Sequence, residues 1–485
     1  MGKRDGLNTD LKNHISYIFI PFRYEGEGIG QSLPDALNAS GDWNQVDDEI
    51  EYMLRYAADR IEGKDSGKNR YEHFIFEDQQ SISGKEGLFY TEKHLFNGEE
   101  TEFGFRIQSI QLFYFSTSVS VMAFGLHFEC SADSLGCGGG MGENLSIEAA
   151  RETELLPEQL LYISSAQYYL KKVSREKIHR AGGSDTTLLG IAKEIMDRLG
   201  LADDFDFFFY AKPGTERANL FTYLEACHRE GFEYELFYLR RCYNEKYLYH
   251  KDEKRDEQEI FKAAENITWG LSGEAAVCIT CPSKGGRDFL HNVFFGNFNR
   301  QYLFMYVLLL HQKYVLYLFQ TRINAELYED LDTLETYRNN LYKFETDFVY
   351  SRVTEVSQYQ ELYDRMTQAF ALKEMYEDVR EPLQVLVDAR SAELEKSQKR
   401  AEQEQKKKEE KMNKILFIIS VVCALPVVSD IFEIIEFILE LFLGRGLNEF
   451  ELLVVRGLCP GAALLILVLV LLSMAVSNLF NKKRD

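Results

Sequence analysis

Two apolar stretches close the chain, residues 415–443 and 457–480, and each reaches the ~20 residues a helix needs to cross the hydrocarbon core of a bilayer. A short segment, 444–456, joins them. Lys406, Lys407, Lys408, Lys411 and Lys414 crowd the entrance, and Lys482, Lys483 and Arg484 close the exit. By the positive-inside rule both ends then lie in the cytoplasm. The expectation is a two-span hairpin in the inner (plasma) membrane, residues 414–485, with everything before Lys414 cytosolic.

The first span is two-faced. Asp430, Glu433, Glu436 and Glu440 interrupt Ile431, Ile434, Ile435, Ile438, Leu439, Leu441 and Phe442. At helical spacing the four acids fall within roughly one third of the circumference, opposite these apolar residues. A carboxylate at mid-bilayer costs about 2.5 to 3.5 kcal/mol on insertion scales, so the acids must face water. One solution is a ring of such helices around an aqueous lumen, with the acids as pore-lining residues. That requires a homo-oligomer and attracts cations. The other is that the crossing helix stops near Ser429 and the remainder lies flat at the outer surface. The short version covers only ~22 Å of a ~30 Å core, which favours the ring.

A chain of 485 residues has length for two or three domains and a large core. Its net charge of -22 is a poor match for phosphate backbones, so no direct nucleic-acid partner is expected. Eight cysteines are scattered behind a polar start that does not read as a signal segment, so free thiols in a reducing compartment are expected. Cys278 and Cys281 form a CxxC without a second pair, which reads as two buried thiols on a strand.

Residues 1–155 read as a β-rich domain. Its clearest feature is a hairpin over 105–129: Ile110, Leu112 and Tyr114 alternate, Ser116-Thr117-Ser118 turns, and Val119, Val121 and Ala123 alternate again. A glycine cluster, 136–142, follows. Residues 156–324 mix helices and strands, and the apolar run 302–318, which carries His311, Gln312 and Lys313, reads as a buried core helix. From 325 to 413 the spacing predicts a helical stalk: a packing seam through Leu334, Leu341, Phe348, Tyr359, Tyr363, Met366 and Phe370, then a charged tract entering the first span without a breaker. The fold class is thus an α+β cytosolic domain, a long helical stalk and two C-terminal transmembrane helices.

No catalytic motif emerges. The chain has no phosphate-binding GxxxxGK[ST], no HExxH and no GxSxG, and the 136–142 glycines lack a following Lys-Ser/Thr. It does not read as an enzyme, and no catalytic residue or cofactor is assigned. Ligand-binding candidates are Ser116 and Thr117 at the hairpin tip, Trp269 as a base-stacking surface, and Arg240 (beside Arg241) and Arg300 as anion contacts in an acidic chain. Each has an ordinary structural reading: turn residues, core packing, surface charge. His311 reads as a satisfied core histidine.

This order of parts resembles the CorA superfamily of pentameric divalent-cation channels. Residues 424–428, Ala-Leu-Pro-Val-Val, look like that family's proline-bearing stretch, and Gly446-Leu447-Asn448 in the outer loop is similar to its Gly-Met-Asn signature with the middle residue changed. The 112–117 tract, the 269–278 segment and the 302–316 helix together resemble the divergent CorA-type effectors that accompany type III CRISPR systems. That resemblance implies a homopentamer-like assembly in a lipid bilayer, gated by a small-molecule nucleotide messenger, a conjugate of S-adenosylmethionine and AMP. The chain would act in antiviral defence by opening a pore or breaching the membrane, with a divalent cation as candidate cargo. The alternatives are a constitutive CorA-like magnesium transporter and a membrane-tethered enzyme.

Overall fold

The computed structural model of the protein describes residues 14–24, 32–48, 51–64, 70–78, 82, 87–130, 154–180, 184–201, 205–227, 232–282, 288–323, 331–446, 448–454, 457 and 461. The chain divides into two compact units, Met1–Val387 and Asp388–Asp485.

The first unit opens with β1 (His14–Tyr24), α1 (Leu33–Ser40), β2 (Trp43–Val46), α2 (Arg55–Ile61), β3 (Tyr71–Phe76) and β4 (Leu88–Thr91). A small hairpin of β5 (His94–Phe96) and β6 (Glu99–Thr101) precedes β7 (Gly104–Phe115) and β8 (Val119–Phe128). Next come α3 (Pro157–Leu170), β9 (Ile178–Arg180), β10 (Asp185–Thr186), α4 (Leu188–Arg198), β11 (Phe205–Phe207) and β12 (Asn219–Glu225). Then α5 (Glu233–Arg241), α6 (Glu253–Glu259), β13 (Ile260–Ala264), β14 (Ile267–Leu271) and β15 (Ala275–Thr280) lead to α7 (Phe289–Arg322). After it stand α8 (Leu331–Phe348), α9 (Ser357–Ala369) and α10 (Leu372–Leu443).

Thirteen strands form one sheet in the order β10-β9-β4-β7-β8-β1-β12-β15-β14-β13, with β11 on β1 and the β2-β3 pair on β7. Only β12 and β15 pair in parallel among these strands. Alternation decides which face each side chain serves. Tyr17 and Phe19 of β1 enter one core, with Phe113 and Phe115 of β7 and Phe221 and Tyr223 of β12; Ile18, Ile20 and Phe22 enter the other. Helices α7, α8 and α9 and the start of α10 cover the first face, while α1, α3, α4 and α5 supply the second. Strands β12 and β15 are buried on both faces along their whole length, Asn219, Thr222 and Glu225 of β12 included.

A boundary at 155/156 cuts through this sheet. Strand β12, from the second expected domain, pairs with β1 from the first over His14↔Leu224 to Phe19↔Asn219, so 1–155 and 156–324 share both cores. Local composition cannot reveal such pairing, because the strands that close the sheet are some 200 residues apart.

The 325–413 stalk also differs from expectation. Its seam breaks into α8, α9 and α10, and Leu334, Leu341, Phe348, Tyr359, Tyr363, Met366 and Phe370 pack onto α7 and the sheet as part of the core. Residues 349–356 leave the helix because their backbone finds other partners: Leu54 N-H donates to Val353 O (2.7 Å), and Val353 N-H donates to the Gln360 side chain (2.9 Å). Ala371, at φ 53°, makes the elbow between α9 and α10. The continuous helix therefore begins at Leu372 and runs unbroken through Pro382 and Pro426 to Leu443.

Among the described residues one helix, α7, is long and apolar enough to cross a membrane, with mean hydropathy 1.3 over its most apolar window. That window is 83% buried inside the first unit, so α7 is packed as a core helix. It starts with two π-helical turns, Phe289–Phe294 and Phe298–Tyr302, which set Phe294, Phe295 and Phe298 against Tyr223 and Phe221. The 457–480 stretch lies outside the described residues apart from Gly457 and Gly461, and the 136–142 glycines lie outside them entirely.

Candidate functional site

A cavity of about 390 Å³ opens where α5, α6, the β14-β15 turn and the end of α9 meet. Its walls include Arg241, Arg255, Glu259, Ser272, Gly273 and Gln368. The volume falls in the range of small-molecule sites, ~300 to 1,000 Å³.

Its construction starts with glycine. A Cβ at Gly270 would lie 2.9 Å from Leu236 Cδ2 and 3.2 Å from Arg240 Cβ, so glycine lets α5 sit this close to β14 without displacing those side chains. The Ser272 hydroxyl then donates to Arg240 O (2.5 Å) and accepts from the N-H groups of Glu274 (3.0 Å) and Ala275 (3.1 Å), which fixes the turn. Gly273 O, in that turn, accepts from Lys313 Nζ (2.7 Å) and from the Asn219 amide (3.1 Å). Lys313 also lies over the Phe370 ring, 4.8 Å from its centroid, at the elbow before α10. Burial pushes the Lys313 ammonium down to about 8, aided by Arg217 and opposed by Glu274.

The charge around the cavity is unequal. Arg240 pairs with Asp256 and Glu259, and Glu259 also accepts from Arg241 (2.7 Å) and Arg255 (2.9 Å). Three guanidiniums thus share two carboxylates. Glu274, on the same wall, is taken by Lys171. Arg241 Nε is buried without a hydrogen-bond partner among the described residues. Arg241 and Arg255 both line the cavity, and paired guanidiniums suit an oxyanion.

The residues singled out from sequence do not converge. Trp269 is 1% exposed, its ring faced by Phe221, Phe298 and Tyr302, so it cannot stack on a base. Arg240 is equally buried, and its charge is spent on Asp256 and Glu259. Thr117 is tied to His311 at 2.8 Å, and Ser116 is exposed with its N-H on Arg70 O (2.8 Å). Arg300 is exposed, its Nε donating to Gly296 O one turn back. What the cavity does collect are neighbours of the expected residues: Arg241 beside Arg240, and Ser272-Gly273 after Trp269. The Arg240-Arg241 pair and the glycine-rich turn carried that signal, whereas Arg255 and Gln368 had none.

In the second unit Asp430, Glu433 and Glu440 are exposed and Glu436 is partly covered. Asn448 N-H donates to the Glu451 carboxylate (3.0 Å); Gly446 has open space around it, and Leu447 lies outside the described residues. Among the described residues no group of three or more His, Cys, Asp or Glu side chains is placed to hold a metal ion. Cys278 and Cys281 are buried free thiols, and burial pushes the second up to about 11.

No protein-family model matches the chain, and neither does any curated protein or solved structure.

Proposed function

We propose that the protein is a membrane effector: its α+β unit receives a small-molecule messenger of nucleotide type, and its long helix carries the response to the bilayer as a pore or a breach. The observation that carries this reading is α10 itself. Leu372, Val379 and Leu383 anchor its start in the core of the first unit, residues 391–416 are exposed without interruption, and the same helix then presents Ile418, Ile419, Val422, Ile434, Leu441 and Phe442 to the surroundings. Leu441 is 72% and Phe442 87% exposed. Apolar surface of this kind is unfavourable in water by about 25 cal/mol per Å² and calls for lipid or for other copies of the helix.

In this reading the hairpin 414–485 spans the inner membrane twice with both ends cytoplasmic, and a homo-oligomer gathers Asp430, Glu433, Glu436 and Glu440 about a wet, cation-attracting axis. The resemblance to CorA-type effectors supplies the messenger class and the pentamer. A ligand opens such an assembly only through differential affinity: moving a population from 1:99 to 99:1 needs about 5.5 kcal/mol summed over the sites. The test is ion flux from proteoliposomes. Flux that depends on an added S-adenosylmethionine-AMP conjugate supports the proposal; unprompted magnesium flux replaces it with a constitutive transporter, and turnover of the nucleotide replaces it with a tethered enzyme.

A further inference from the structure

We propose that the cavity beside Arg241 and Arg255 is an anion site for a small molecule bearing phosphate or carboxylate groups, and that its occupancy is relayed to α10 through Gly273, Lys313 and Phe370. The coupling half rests on the reading of α10 as the output helix; the binding half does not.

Three observations carry it. Around the cavity four cations, Arg240, Arg241, Arg255 and Lys171, meet three carboxylates, Asp256, Glu259 and Glu274, in a chain of net charge -22. Arg241 lines the cavity with its Nε buried and unpartnered among the described residues, and Arg255, more than half exposed, lines it as well. The wall opposite is the end of α9, Gln368 and Ala369, two residues before the left-handed Ala371 from which α10 starts.

The relay follows from these contacts. Gly273 lies next to the end of α9, since a Cβ there would be in ordinary contact with Ala369 O at 3.5 Å. Its carbonyl holds Lys313, which holds Phe370. A guest that binds the arginines and presses on the 272–274 turn therefore moves the acceptor of Lys313, the ring it covers and the elbow at Ala371 together. Lys313 is a positioning residue: it touches the turn and the elbow and does not line the cavity. Arg217 and Glu274 are the charged groups that face it.

The experiment uses the full chain in lipid nanodiscs with two probes, inorganic pyrophosphate and citrate, which separate a phosphate ligand from a carboxylate one. A fluorophore on Val385→Cys, an exposed α10 position, in a background with Cys137, Cys227, Cys423 and Cys459 replaced by Ser reports the helix. The expected result is saturable binding of one probe, weakened tenfold or more by Arg241→Gln and severalfold by Arg255→Gln, with a fluorescence change on binding. Lys313→Met keeps the affinity and loses the fluorescence change, and Lys313→Arg restores it. No binding of either probe, or binding indifferent to both arginine substitutions, overturns the site. Binding without a fluorescence change overturns the relay. Messenger-dependent ion flux that survives Arg241→Gln removes this cavity and leaves the proposed function standing, whereas Arg241-dependent binding without any flux does the reverse.

Discussion

Thr117 Oγ1 and His311 Nε2 lie 2.8 Å apart, joining the β7-β8 turn to the middle of α7 across 194 residues. The imidazole is fully buried, stacked on Phe115 at 3.8 Å and edged by Phe348, and its Nδ1 has no hydrogen-bond partner among the described residues. A bare buried acceptor costs less than an orphaned N-H, so the proton sits on Nε2 and donates to Thr117. The Thr117 hydroxyl is left to donate to Val119 O (3.4 Å). A residue expected to greet a ligand is instead part of the core's hydrogen bonding.

Replacing Thr117 by Val therefore strands the His311 N-H. The variant is expected to lose about 1 to 3 kcal/mol of stability, measured as a lower thermal or denaturant midpoint of the first unit in the full chain. An unchanged midpoint would mean that the pair contributes nothing.

His311 also sets an acid limit. Burial pulls its pKa down to about 3 from 6.5. Its folded value lies below the unfolded one, so between pH 6.5 and 3 the unfolded chain binds a proton that the folded chain refuses. Stability falls as the pH is lowered through that window, by up to ~1.4 kcal/mol per unit. A His311→Gln chain is expected to show a shallower acid slope than the parent in melts taken from pH 7 to pH 4.

Lys313 gives the same sign at high pH. Its folded pKa of about 8 lies below the ordinary 10.5, so the unfolded state holds more protons between those values and stability rises with pH through them. Lys313→Met removes a buried charge at the loss of one hydrogen bond, for a net gain of about 1 to 2 kcal/mol at pH 7. That advantage shrinks as the pH is raised from 8 to 10. A variant less stable than the parent at pH 7 would show that the bond to Gly273 outweighs desolvation.

Trp269 fills the centre of the first core, so Trp269→Ala is expected to cost about 3 to 5 kcal/mol. Were the ring a ligand surface, affinity would change and the melting temperature would not.

The acids of α10 are tested together. Glu433→Gln, Glu436→Gln and Glu440→Gln combined should reduce cation conductance of the reconstituted protein severalfold if the side chains line a lumen. Equal conductance in parent and variant would put this part of the helix at the membrane surface.

Sequence alone determined what depends on neighbours in the chain. The 105–129 hairpin, the burial of 302–318 and the unbroken run of α10 into an apolar end all follow from periodicity, since side-chain spacing along one element decides which face is apolar. Tertiary structure decided whatever depends on residues far apart: β12 beside β1, the seam folding back onto α7 as three helices, the use of Arg240 on Asp256 and Glu259. It alone placed Arg241, Arg255 and Gln368 around one cavity. Their side chains sit on α5, α6 and α9, and no local pattern records that three helices from separate parts of the chain will meet, because that meeting is settled by how both faces of the sheet are covered.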